Sequence, residues 1–149
     1  MSQIQFTSVL RGMFRNALEQ LLFFNERQRR LQGAILSTIE RYGAPRIVLL
    51  DDRLRLTLDS GVEAQTLFAV EQTNASQSLV GVVVYTREGE SFVVLFVAVR
   101  EDFTSRGPRA EEALYFRIID QVKGVARRVR GIRSIQVFCP ATLEIAVWD

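Results

Sequence analysis

At 149 residues, with 48% hydrophobic and 24% charged content, the chain suits one folded domain and excludes the disordered and fibrous classes. It has no histidine and a single cysteine, Cys139, which excludes Ser-His-Asp and Cys-His catalysis, a disulfide, and imidazole or thiolate metal sites within one chain. The net charge of +2 is too small to single out nucleic acid, although 18 of the 19 basic residues are arginine, the exception being Lys123.

In chain order, "MSQIQFTSVLRGMF" lacks a basic start followed by an apolar block, so no secretory leader is expected. From about Val9 to Tyr42 apolar residues recur at helical spacing (Leu10, Phe14, Leu18, Leu21, Phe24, Leu31, Ile35, Ile39), and Gly43 and Pro45 stop the pattern. The length predicts two helices over about 8–43, joined near "FFNERQRR", with Phe23 and Phe24 in the core or on a dimer surface.

After Pro45 the period changes to that of strands. Ile47–Leu50 is a short apolar run, and "RLRLTL" alternates Leu54, Leu56 and Leu58 with Arg53, Arg55 and Thr57, giving one buried and one wet face. "TLFAVEQ", "LVGVVVYT" and "SFVVLFVAV" follow as strands, with a hairpin turn at "REGE" around Gly89. The last of these is apolar on both faces and belongs in the middle of the sheet. The longest apolar run, Phe92–Val99, is strand-sized, well short of the roughly 20 residues of a spanning helix. A cytoplasmic protein without a membrane partner is expected.

Pro108–Arg130 is the best-defined predicted helix. Pro108 suits a first turn, Glu111 and Glu112 its positive end, and Arg127, Arg128 and Arg130 its negative end. Leu114, Ile118, Val122, Val125 and Val129 form the buried stripe, and Gly131 ends it. "RSIQVF" and "LEIAVW" are two closing strands around Cys139-Pro140. The fold class that results is α+β, a mostly antiparallel mixed sheet flanked by helices in one domain over 1–149, its sheet and helix core beginning at about 46.

The run "LFAVEQ…LVGVVVYTREGESFVVLFVAVREDF", the turn and helix after it, and "GIRSIQVF" resemble the GNAT family of acyl-CoA-dependent N-acyltransferases over about half the chain. Gly81 stands where that family commonly has a glycine in its third strand. The resemblance implies an acetyl-CoA or other acyl-CoA ligand and an amine acceptor, small molecule or protein. It implies that the pantetheine arm bonds to the backbone of Val97 and Val99. The pyrophosphate would then sit on the turn of Thr104, Ser105, Arg106, Gly107, Arg109 and Ala110, where a helix start offers unpaired N–H donors.

Aligned on Gly107, the family's signature is matched only at that glycine. Pro108 removes one donor, Glu111 and Glu112 oppose an anion, and Arg106 and Arg109 favour one. No tyrosine follows Phe138 to serve as the family's usual general acid, so no catalytic residue is assigned. The alternative is a non-catalytic relative, a pseudoenzyme that has lost CoA binding and serves as an interaction or assembly module. A third reading is an α+β binding domain outside the family. A homodimer suits either family reading.

Each remaining feature has a plain structural explanation. Cys139 has no histidine to activate it and suits a strand-end thiol. Tyr85 suits sheet packing. The basic stripe of Arg117, Lys123, Arg127, Arg128, Arg130 and Arg133, interrupted by Asp120, suits a solvated face, as does "RQRR" at 27–30. No aromatic residues interleave with them as single-strand binding would require, so nucleic acid is not expected.

Overall fold

The computed structural model describes residues 3–23, 38–104, 107–137 and 143–148. Strand β1 (Gln3–Thr7) and the short β2 (Leu10–Arg11) lead through a 3-10 turn into helix α1 (Arg15–Phe23). Residues 38–42 are helical. Strands β3 (Pro45–Leu50), β4 (Arg53–Leu58), β5 (Gln65–Gln72), β6 (Gln77–Glu88) and β7 (Ser91–Val99) follow. Helix α2 (Leu114–Arg128) and strands β8 (Ser134–Val137) and β9 (Leu143–Ala146) close the order.

Six strands form one sheet in the order β1-β5-β6-β7-β8-β9, and β2-β4-β3 form a second. Every neighbouring pair is antiparallel except β7 and β8. The α+β class, the mixed sheet and the inner position of β7 are as the sequence implies. The polar connection at 73–76 and the tight Gly89 turn, at φ +58, give β5, β6 and β7 their meander.

The large sheet is covered on both faces. One face packs against α1, Tyr42 and the second sheet, with Leu18, Leu54, Phe68, Val82 and Val84 at 2% exposure or less. Leu54, Leu56 and Leu58 point inward and their arginine neighbours outward, the period-2 pattern of "RLRLTL". The other face takes α2 through Leu114, Ile118 and Val122. Gly81 is explained by this packing, since a Cβ there would lie 2.8 Å from Ile118 Cδ1.

Three expectations are corrected. Residues 3–7 form a strand on the β5 edge, and Leu10–Arg11 pairs with β4, so the first helix begins at Arg15 rather than near residue 8. The helix expected from Pro108 begins at Leu114, because Ala113 takes a left-handed conformation (φ 51) after a 3-10 turn at Ala110–Glu112. On α2, Ile119 and Ala126 are buried, Val125 is half-buried, and Val129 lies beyond the helix end. Phe24, Leu31, Ile35, the "RQRR" run and Cys139 lie outside the described residues. Among the described residues no helix is long and apolar enough to cross a membrane.

Candidate functional site

Among the described residues the parallel pair β7 and β8 is laddered over four rungs at the start of β7. Ser91, Phe92, Val93 and Val94 pair with Ser134, Ile135, Gln136 and Val137. This end is pinned by the Ser91–Ser134 hydroxyl pair at 2.7 Å and by the Arg133 N–H donating to the Glu90 carbonyl at 2.7 Å. Just past the last rung β7 bulges: Tyr85 pairs with Val94 and Val84 with Phe96, so Leu95 is passed over. A bulge bends its strand and sharpens the local twist. Leu143 already lies opposite Val137 again, so β8 and β9 are joined by five residues. Among the described residues β8 ladders β7 only from Ser91 to Val94.

The orientation of that half follows from one hydrogen bond. The Arg100 N–H donates to the Val80 carbonyl at 2.8 Å, next to the Val99–Gly81 rung. That rung is therefore of the non-hydrogen-bonded kind, as is Val97–Val83 two residues back. Val97 and Val99 consequently turn their backbone N–H and C=O away from β6, towards the side of the sheet on which β8 lies. The two strand residues singled out in the sequence share that orientation.

The turn beyond the strand is differently built from an anion cradle. Thr104 N–H donates to the Glu101 carbonyl, Gly107 to Thr104, Arg109 to Asp102 at 2.7 Å, and Ala110 to Gly107 at 3.3 Å. Glu112 and Ala113 donate to Arg109 and Ala110. The Thr104 hydroxyl also donates to Glu101, at 2.7 Å. Of the donors expected to face a pyrophosphate, the described ones (Thr104, Gly107, Arg109 and Ala110) are thus engaged within the loop, and Pro108 contributes none. Gly107 is required for another reason: a Cβ there would collide with the Asp102 carbonyl, because the loop folds back onto its own backbone. Ser105 and Arg106 lie outside the described residues.

Arg109 is turned inward. Its guanidinium donates to both carboxylate oxygens of Glu71 on β5 and to both of Glu112, and stacks 4.2 Å from the Phe103 ring centroid. These partners hold the guanidinium more firmly protonated than usual. Arg100 extends the cluster through a two-pronged bond to Asp102, which holds that carboxyl below its ordinary range. The fold therefore brings Val97, Val99, Thr104, Gly107, Arg109 and Ala110 to one end of β7, but it joins Arg109 to Glu71. No local pattern announces that pair, 38 positions apart.

Three of the basic residues of the stripe contact the fold itself, while Arg127, Arg128, Arg130 and Arg133 stay exposed. Arg127 Nε donates to the Val147 carbonyl at 3.1 Å, Arg128 Nε to Gly124 at 3.3 Å, and Arg117 lies over Phe6. A half-open cleft of about 560 Å³, lined by Tyr85, Phe92, Val125 and Val129 among others, lies at the opposite end of β7 from the turn. Tyr85 packs its ring on Phe92 at 5.1 Å between centroids, and burial raises its hydroxyl pKa.

No family model matches the chain, and no curated protein matches it. Among solved structures, an IAA acetyltransferase from Bacillus cereus ATCC 14579 is similar with a TM-score of 0.41 and 16% identity. The likeness covers 91% of this chain and 65% of that one, so the chain spans under two thirds of that protein's length.

Proposed function

We propose that the chain is an acyl-CoA-binding protein of GNAT-like fold whose reaction is N-acyl transfer to an amine, borne by a small molecule or a protein. One observation carries this reading: among the described residues the β7–β8 ladder reaches only to Val94, beside the bulge at Leu95, and Val97 turns its backbone donor and acceptor away from β6, to the β8 side. An extended amide-bearing arm such as pantetheine pairs with such an edge as an added strand does. In the transfer, the amine nitrogen bonds to the acyl carbon, the C–S bond breaks, and the nitrogen's proton passes to the sulfur through water.

On this reading the turn of Thr104, Ser105, Arg106, Gly107, Arg109 and Ala110 would take the diphosphate of acetyl-CoA or another acyl-CoA. Because its described N–H groups donate within the loop, side chains rather than backbone must meet the phosphates, and the arm supplies most of the affinity. A second reading, the non-catalytic assembly module, is favoured by the closure of Arg109 onto Glu71 and Glu112. Calorimetric titration with acetyl-CoA, CoA and pantetheine separates the two. Saturable heat from all three, with CoA little tighter than pantetheine, is expected. No heat at millimolar ligand contradicts acyl-CoA binding and leaves the assembly module.

A further inference from the structure

Strand β3 is the outer strand of the small sheet, laddered only to β4 among the described residues. The Asp59 N–H donates to the Ala44 carbonyl at 3.1 Å, next to the Leu58–Pro45 rung. That rung is therefore non-hydrogen-bonded, and alternation points the backbone groups of Arg46, Val48 and Leu50 at β4 and those of Ile47 and Leu49 out of the sheet. Pro45 falls in the outward set, where its missing N–H breaks no rung. Edge strands are usually blunted by charge, proline or bulges. Here the edge carries Ile47, Val48, Leu49 and Leu50, the last three 42%, 47% and 58% exposed.

We propose that a second copy of this chain adds to β3, antiparallel about a two-fold axis at Val48. In an antiparallel pair, outward residues must face outward residues, so Ile47 meets the partner's Leu49, and Leu49 the partner's Ile47, with four interchain bonds. Shifting the axis to Leu49 would bring Asp51 into the ladder, but Asp51 and Asp52 sit in left-handed turn conformations (φ 51 and 58). Shifting it to Ile47 would leave Leu50 without a partner. The axis at Val48 keeps all four aliphatic residues in the ladder. It also sets Arg46, which pairs with Asp59 of its own chain, beside the partner's Asp51 at both ends. Asp52 is held by Arg11 and the Gly12 N–H. The Arg46–Asp51 charge complement favours a copy over an unrelated strand. The joined small sheets form one six-stranded sheet of order β2-β4-β3-β3-β4-β2. This inference does not rest on the acyl-CoA reading.

Light scattering across a concentration series should give a dimer mass. Leu49→Pro deletes an outward donor without touching the β4 ladder, and Leu50→Lys places a charge in the contact; each should give a monomer with an unchanged circular-dichroism spectrum. In a Cys139→Ser background, Val48→Cys should form an interchain disulfide on mild oxidation, because directly opposite residues of this kind lie about 4.5 Å apart at Cα. Arg46→Cys should not, being several rungs from its counterpart. A wild type that stays monomeric, a dimer that both β3 variants leave intact, or cross-linking through Arg46→Cys instead of Val48→Cys overturns the proposal.

Discussion

Arg109 grips Glu71 with both terminal nitrogens, tying the turn after β7 to strand β5 across 38 positions of sequence. The Glu71 side chain is only 7% exposed, so truncating Arg109 removes the two-pronged partner of a buried carboxylate. Arg109→Ala should lower unfolding free energy by about 3 kcal/mol, the low end for a broken buried pair, because Arg100 remains 3.8 Å from Glu71. Glu71→Gln, which keeps the shape and loses the charge, should cost less than Arg109→Ala. Urea unfolding midpoints check both; an Arg109→Ala protein as stable as wild type contradicts the clasp.

The same cluster sets an acid limit. Asp102 titrates below its ordinary value first because of the hydrogen bond from Arg100, and Glu112 first because of that from Arg109. A carboxylate with a depressed folded pKa stabilises fully above its unfolded value, about 4, and loses that contribution as pH falls through the folded value. The thermal midpoint should therefore drop as pH is lowered from about 5 to about 3. Arg109→Ala should show a shallower drop, since Glu112 then titrates normally.

Tyr42 marks an alkaline limit. Its hydroxyl donates to Glu88 Oε1 at 2.9 Å, joining helical residues 38–42 to the β6–β7 hairpin. Burial first, then this bond, pushes its pKa up to about 12. The folded state thus favours the neutral phenol, and that stabilisation is complete below about 10 and lost as pH rises through about 12. Ultraviolet titration should show a tyrosine step near 12 that is missing from Tyr42→Phe.

Two glycines should respond in a fixed order. Gly81→Ala brings a methyl to 2.8 Å from Ile118 Cδ1, a side-chain end that can give way, at a cost of about 1–3 kcal/mol. Adding Ile118→Val should recover part of that loss. Gly107→Ala drives its methyl into the Asp102 carbonyl, where only the backbone can move. It should cost more, with no recovery from side-chain trimming. Thermal midpoints of the four proteins test the order.

Strands β4 to β8 were legible because their apolar residues alternate or run unbroken between clear turn signals, and each lies within a few residues of its expected place. The N-terminal stretch was not. Leu10, Phe14, Leu18 and Leu21 fit a helix, yet β1 and β2 owe their existence to β5 and β4, partners over 40 positions away. The start of α2 failed for a related reason. Pro108, Glu111 and Glu112 are sound helix-start signals, but Arg109 is drawn to Glu71 and its own N–H to Asp102, which holds 107–113 in tight turns. Of the candidate site, Val97 and Val99 were named from the family resemblance and their place on the strand, and their shared orientation follows from the alternation of the β6–β7 ladder. The engagement of Arg109 was invisible locally, because nothing in its neighbourhood marks Glu71.

Hydrogen exchange at the Val97 amide, read by NMR with and without saturating acetyl-CoA, tests the central claim most directly. Its N–H points away from β6, where the proposal seats the ligand's arm, so the account expects marked slowing on binding, together with a shift of the Val97 resonance and little change at Ala98, whose N–H is already held by β6. Unchanged exchange at Val97 in the presence of saturating acetyl-CoA would contradict it.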